Sequence, residues 1–334
     1  MSGTRRTVDR IAGIAGALLF CWLLYETGLN AVERCLGRMG YRTVLAVVPY
    51  TVASLCDALG WRAVLGGISA ARVPFARLWL VRLAGEAVNS VAPTGAGGEP
   101  LKALLLRNDG FSGADAAAAV VVSRTALTVT QSLLVVAGLT AVLVRFHPDW
   151  ALAGLVLLLG TAAAFFLLLV RLQQSGPMQF GARVLRRVLP RSRLVTRLEG
   201  HAVAGDVRLT TFYRSERASL VDAGCWHMLG WLASAAEVWL LLRLMGAPIS
   251  CSDALIIEGL AQPIRATAII VPGALGTQET GGVAVCSWLG IARDVSVAAW
   301  LVRRARETVF DAVGLLYLAI TGARTAPGDE APLP

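Results

Sequence analysis

Glu86-Ala-Val-Asn89-Ser-Val-Ala-Pro93-Thr-Gly-Ala-Gly-Gly98-Glu99-Pro100-Leu-Lys102 interrupts an apolar run that extends from Leu78 to Leu106. Two prolines and three glycines fall within eight of these residues. Proline lacks the N–H that a helix needs and glycine loses the most backbone freedom on ordering, so the run cannot continue as one helix. Most of the legs on either side are shorter than the roughly 20 residues that cross a bilayer. The stretch therefore reads as the tip of a re-entrant hairpin over 78–106. A second interruption, Pro272-Gly-Ala-Leu-Gly-Thr-Gln-Glu279, divides the apolar residues 254–290 in the same way. In both, proline is followed by glycine four residues on and by glutamate six or seven residues on.

The composition around these interruptions is that of a membrane protein. The chain has 334 residues, 56% hydrophobic and 16% charged, whereas ordinary soluble domains carry about 25% charged residues. That balance excludes a soluble two-domain enzyme, a secreted disulfide scaffold and a disordered chain. Long apolar runs fall at Ile11–Leu24, 43–65, 114–144, 150–170, 218–245 and 295–320. No small-x-small cleavage site follows the first, where Tyr25–Glu26 stands, so a retained span is expected there. The expected fold is an all-α polytopic bundle of about six full spans plus two re-entrant hairpins. It forms a single transmembrane domain over 1–322, with the Pro-containing residues 323–334 as a disordered tail.

Net charge is +9, and of the 31 basic residues only Lys102 is a lysine. In a polytopic chain such an excess points to cytoplasmic loops and anionic lipid headgroups, not to nucleic acid. Segment 171–217 holds ten arginines against Glu199, Asp206 and Glu216, which places it in the cytoplasm. Both termini then face the cytoplasm, and the nearly neutral loops 145–149 and 246–252 face outward. The two hairpins enter from opposite faces, the pattern of inverted repeats in transporters. Segment 171–217 is also the expected contact for lipid-synthesis or export proteins.

Polar residues recur along single helical faces. Arg82, Glu86 and Asn89 are spaced i, i+4, i+7, as are Glu258, Gln262 and Arg265, and Arg124, Thr128 and Gln131. The last span carries Arg303, Arg304, Glu307 and Asp311. A basic side chain at the bilayer centre costs about 2.5–3.5 kcal/mol on insertion scales. Eight such residues (Arg82, Lys102, Arg124, Arg243, Arg265, Arg303, Arg304 and Arg306) therefore require partners or a wet cavity. Two arrangements satisfy them: internal ion pairs that pin helices together, such as Arg82–Glu86 and Arg303–Glu307, or a polar, net-basic cavity near the midplane. The returning legs add their own polarity, with Pro100 in a first turn and Thr277 or Thr280 as caps. On the cavity reading, Asn89, Glu99, Lys102, Arg124, Gln262, Arg265, Glu279, Arg303, Arg304 and Glu307 hold the headgroup of an amphiphile. Glu86, Glu258 and Asp311 are candidates for proton coupling. No phosphate loop, catalytic Ser/His/Asp spacing or cofactor motif occurs, and His147, His201 and His227 lack metal-ligand spacing. Neither a catalytic residue, a cofactor nor a metal is expected, and His227 reads as a packed histidine.

The two interruptions resemble the N-x-x-x-P…G-G-E-x-x-[RK] and P-G-x-L-G-x-x-E segments of the lysylphosphatidylglycerol synthase transmembrane-region, or flippase-like, family. The likeness spans roughly residues 10–322, and Val302-Arg-Arg-Ala-Arg-Glu307 is closest to the hopanoid-biosynthesis-associated branch. The resemblance implies a bacterial inner-membrane protein that moves a polar lipid between leaflets or out of the membrane. The lipid would be anionic, aminoacylated, glycosylated or hopanoid. The family's soluble aminoacyl-transferase domain has no counterpart here, so lysyl transfer is not implied. Gln278 and Ser123 stand where many relatives carry arginine and an acidic residue, which leaves the headgroup open. A lipid-modifying transferase using Glu99 or Glu279 as acid and base is the alternative, and a non-catalytic accessory of a lipid-synthesis complex is a third possibility.

Overall fold

A computed structural model describes residues 33, 37, 39–91, 97–146, 149–188, 193–267 and 276–322. The predicted first span, both hairpin tips and the predicted tail lie outside the described residues. Within them the only regular structure is helical, with no strand. A 3₁₀ turn over Gly40–Ala46 leads into α1 (Val47–Ile68), α2 (Phe75–Val91), α3 (Gly98–Arg107), α4 (Gly113–Phe146) and α5 (Ala151–Gln174). There follow α6 (Pro177–Val188), α7 (Arg193–Ser215), α8 (Arg217–Leu244), α9 (Cys251–Thr267), α10 (Thr277–Trp288) and α11 (Arg293–Gly322).

Among the described residues four stretches are long and apolar enough to cross a membrane: Gly40–Ile68, Gly113–Phe146, Ala151–Leu169 and Arg217–Leu244. They coincide with four of the predicted spans. The predicted run 295–320 forms the 30-residue α11, but its middle carries Arg303, Arg304, Arg306, Glu307 and Asp311. A helix so charged must turn its polar side inward. The opposite case is α5, whose 18-residue apolar window is 0% buried, with Leu152, Val156, Leu157 and Phe166 all outward. A helix that is apolar all round and covered by little protein fits a lipid surround.

The packing pairs elements far apart in sequence. Helix α1 runs along α8, α4 along α9, and α11 along α2, while α2 packs on α3 and α9 on α10. Helices cross closely only where a β-carbon is absent. At the α4–α9 crossing, a β-carbon on Gly138 would sit 3.1 Å from the Leu255 carbonyl oxygen and one on Gly259 would sit 3.0 Å from that of Leu134. At the α11–α2 crossing, Gly314 abuts the Leu83 carbonyl.

One helix-ending geometry recurs: after α8, Ala247 donates to Leu242 and Gly246, at φ 92°, to Arg243, and the same pattern follows α3 and α10. After α3, Asp109 and Phe111 donate their N–H groups to the Leu106 carbonyl and Gly110 donates to Arg107. After α10, Leu289 and Ile291 donate to Cys286 and Gly290 to Ser287. Both glycines adopt positive φ, 89° and 81°, the left-handed conformation that ends a helix without steric cost. Each turn then buries one apolar residue, Phe111 or Ile291. The same 180-residue displacement relates Glu99 to Glu279 and Arg124 to Arg304. Two hydrophobic cores flank this repeat, one centred on Trp61, Val81 and Val122 and the other on Leu241, Ile257 and Trp300.

Candidate functional site

The first interruption builds its site through two glycines. A β-carbon on Gly98 would fall 2.0 Å from the Gly85 carbonyl oxygen, so α3 starts in direct backbone contact with α2. A β-carbon on Gly85 would strike the Lys102 stem, at 2.3 Å from Cε. Asn89 Oδ1 accepts the Gly98 N–H at 2.7 Å, supplying the acceptor that an exposed helix start lacks. With the helices so joined, Lys102 Nζ donates to Glu86 Oε1 at 2.8 Å and to Glu99 Oε1 at 3.1 Å.

Three other elements complete this cluster. Arg82 on α2 donates to Asp57 Oδ2 on α1 at 2.5 Å and to Ser54 Oγ at 3.1 Å. Asp57 Oδ1 lies 2.9 Å from His227 Nδ1 on α8. Arg124 on α4 reaches Glu99 at 4.0 Å with its side chain 56% exposed, the most open member. Together Asp57, Arg82, Glu86, Glu99, Lys102 and Arg124 line a narrow cleft with a cavity volume of about 30 Å³, with Trp61 and His227 on its buried side.

The cleft is not net-basic as expected. Its three cations face three carboxylates, and the predicted Arg82–Glu86 partnership gives way to Arg82–Asp57 and Lys102–Glu86. Pairing across helices in this way satisfies each charge from a different element, so the cluster also fixes how α1, α2, α3 and α4 meet.

The remaining predicted residues form a second, closed cluster in the other core. Arg303 donates to Glu258 Oε2 at 2.9 Å and stands 3.1 Å from Glu237 Oε2. Glu237, on α8, has no exposed side chain and accepts from both Nε and Nη2 of Arg306 at 2.6 Å, a bidentate fork. Ser234 donates to Glu258, which also accepts from Gln262, itself bonded to Gln131 of α4. Glu279 accepts the Gly276 N–H at 2.8 Å and faces Arg304 at 3.7 Å. Thus Glu279 caps α10 by reaching back to the Gly276 N–H, and the Thr280 hydroxyl that the sequence suggested is buried without a hydrogen-bond partner. Arg304 and Arg306 each lie 3.4 Å from Glu307. The Arg306 guanidinium sits 3.6 Å over the Tyr50 ring, which links this cluster to α1. Asp311 faces Ser90 at the α11–α2 contact. Arg265 is exposed on α9 and lies within electrostatic reach of Glu307.

The structure therefore divides the predicted residues. Asn89, Glu99, Lys102, Arg124 and Glu86 belong to the cleft. Gln262, Glu279, Arg303, Arg304, Glu307 and Glu258 belong to the closed cluster. Asp57, His227, Glu237 and Arg306 complete the networks and were not among the predicted site residues. Asp57 and Glu237 were signalled in the sequence as carboxylates within apolar runs, where an unpaired charge is costly. His227 carried no such signal.

A bundle of apolar helices with lipid-facing surfaces and buried arginine–carboxylate clusters defines a multi-pass membrane protein. The chain belongs to the lysylphosphatidylglycerol synthase TM region family, whose model matches residues 10–314. No curated protein matches it. The protein is accordingly a member of a membrane family concerned with lipid synthesis or handling.

Proposed function

We propose that the chain transports a polar lipid across or out of the bacterial cytoplasmic membrane without altering it, the headgroup passing through the cleft between α1, α2, α3, α4 and α8. The observation that carries this is the cleft itself: six charged side chains facing open volume inside an apolar bundle. A cleft with three cations and three carboxylates suits a headgroup that bears an anionic group, held at Arg124 and Lys102, beside hydroxyl or amino groups that face Glu86 and Glu99. Glycosylated, aminoacylated and hopanoid lipids all offer such mixtures.

On this reading α2–α3 and α9–α10 are re-entrant hairpins of an inverted repeat, supported by the single 180-residue displacement that relates Gly110 to Gly290 and the Glu99–Arg124 pair to the Glu279–Arg304 pair. The repeats make one transmembrane domain with both termini cytoplasmic. The Arg-rich segment 171–217 lies on the cytoplasmic face, where it meets lipid-synthesis or export partners. The closed cluster of Arg303, Glu237 and Arg306 acts as the tight side of the pathway while the cleft is open.

The test is a leaflet-exchange assay in proteoliposomes with a headgroup-quenchable fluorescent anionic lipid. Arg124→Ala is expected to slow exchange by about tenfold or more, equivalent to at least ~1.4 kcal/mol of barrier. Wild-type exchange by a well-folded Arg124→Ala protein would overturn the assignment. Mass spectrometry of the lipid separates transport, which leaves its mass unchanged, from a transferase using Glu99 or Glu279.

A further inference from the structure

The charge balance of the cleft depends on one residue. Arg82, Lys102 and Arg124 face Asp57, Glu86 and Glu99, and these charges cancel while His227 is neutral. An anionic headgroup entering this space leaves one negative charge uncompensated, at a depth where unpaired charge is costly. A proton taken up with the headgroup removes that cost.

The cleft offers few places to put it. Glu86 accepts from Lys102, and Glu258 in the other cluster from Arg303, so protonating either removes one of the two carboxylates that each cation holds. Glu99 is shared by Lys102 and Arg124. Asp311 does not line the cleft. His227 differs. Its Nδ1 faces the Asp57 carboxylate, which only accepts hydrogen bonds when ionised, so the proton of the neutral ring sits on Nδ1 and Nε2 is the basic nitrogen. Nε2 is buried and has no hydrogen-bond partner. Gly60 lies against it: a β-carbon there would stand 2.8 Å from Nε2, and Gly60 is what lets the ring approach α1.

We propose that the Asp57–His227 pair carries the proton that accompanies an anionic headgroup through the cleft. This rests on the lipid-transport reading and names its coupling ion. Asp57 is the pivot, because it serves Arg82 through Oδ2 and His227 through Oδ1. In the neutral state the carboxylate chiefly holds Arg82. When Nε2 is protonated, the imidazolium competes for the same carboxylate, and Arg82 is freed to turn toward the headgroup. Loss of the proton returns Arg82 to Asp57 and weakens the anion site. Asp57 on α1 contacts His227, and the other charged groups that share its cleft are Arg82 and Glu86 on α2, Glu99 and Lys102 on α3, and Arg124 on α4. Glu237 lies ten residues along α8, roughly 15 Å away along the helix axis, where it is bound by Arg303 and Arg306 of α11. Glu258 of α9 belongs to that same group, and Arg208 of α7 is held by Asp115.

The experiment measures binding of phosphatidylglycerol, whose phosphodiester does not titrate in this range, to the full chain in phosphatidylcholine nanodiscs between about pH 5.5 and 8, the range in which histidine changes charge. If binding takes up one proton, affinity falls as pH rises, by up to about tenfold per unit. Proton uptake on binding, read in weakly buffered solution with a pH dye, must accompany it in the wild-type protein. His227→Gln keeps a donor for Asp57 and is expected to bind with an affinity that no longer changes with pH. Should that variant misfold, the wild-type proton uptake alone decides. Binding that is pH-independent and releases or takes up no proton in the wild-type protein overturns this proposal and leaves lipid transport standing. Absence of phosphatidylglycerol binding at every pH, with leaflet exchange also absent, overturns both.

Discussion

At Gly98 the absence of a single carbon decides whether the cleft exists. Its backbone rests on the Gly85 carbonyl, and a methyl group there would meet backbone rather than a yielding side chain. Gly98→Ala is expected to cost about 1–3 kcal/mol as an overpacking defect and to part Lys102 from Glu86, seen as a lower melting temperature in detergent together with lost leaflet exchange. A variant that melts and transports like the wild type would refute the contact. Burial also grades the ion pairs. Glu237→Gln leaves Arg306 and Arg303 without their shared carboxylate and is expected to destabilise by about 3–5 kcal/mol. Arg77, 43% exposed beside Asp109, should lose at most about 1 kcal/mol on replacement by alanine. Denaturation of both variants in mixed micelles checks the ranking.

Among the elements, α6, like α3, has its start secured from outside. The Asp206 carboxylate on α7 accepts the N–H groups of Met178 and Gln179, each at 3.0 Å. That satisfies two of the donors left open at a helix start and places a negative charge at the positive end of its dipole. Asp206→Ala should cost about 1 kcal/mol and appear as faster amide exchange confined to the first turns of α6. Unchanged exchange there would show that contacts other than this cap order the helix. Helix α11 illustrates how far an element can be read from sequence. Its length was legible, and the spacing of Arg303, Arg304, Glu307 and Asp311 marked one polar side. Its partners were not. Arg303 is bonded to Glu258 and Glu237, separated from it by 45 and 66 residues in sequence, and not to the neighbouring Glu307.

For the whole molecule, the two clusters should respond differently to the same kind of change. Arg124 stands at the open edge of the cleft, so Arg124→Ala should lose transport while the protein remains monodisperse. Arg303 is buried between two carboxylates, so Arg303→Ala should lose the fold first, by about 3–5 kcal/mol, seen as aggregation on size-exclusion chromatography. If both variants stay folded and lose only transport, the closed cluster is a functional site in its own right. The division of the predicted residues between an open and a closed cluster follows from the crossed packing of α4 on α9 and α11 on α2, which no local spacing encodes.

The sequence by itself determined that the chain is helical and lies in a membrane, where its apolar runs break, and which polar residues share a helix face. Each of these follows from composition and period, which act over a few turns of chain. Only the tertiary structure decided that Asp57 joins Arg82 to His227, that Glu237 rather than Glu307 holds Arg303 most deeply, and that the cleft is charge-balanced instead of basic. Ion pairing in an apolar interior is set by which charges arrive within about 4 Å of one another. For this chain that is fixed by helix crossings between residues more than a hundred positions apart, at glycines whose role is visible only once both helices are in place.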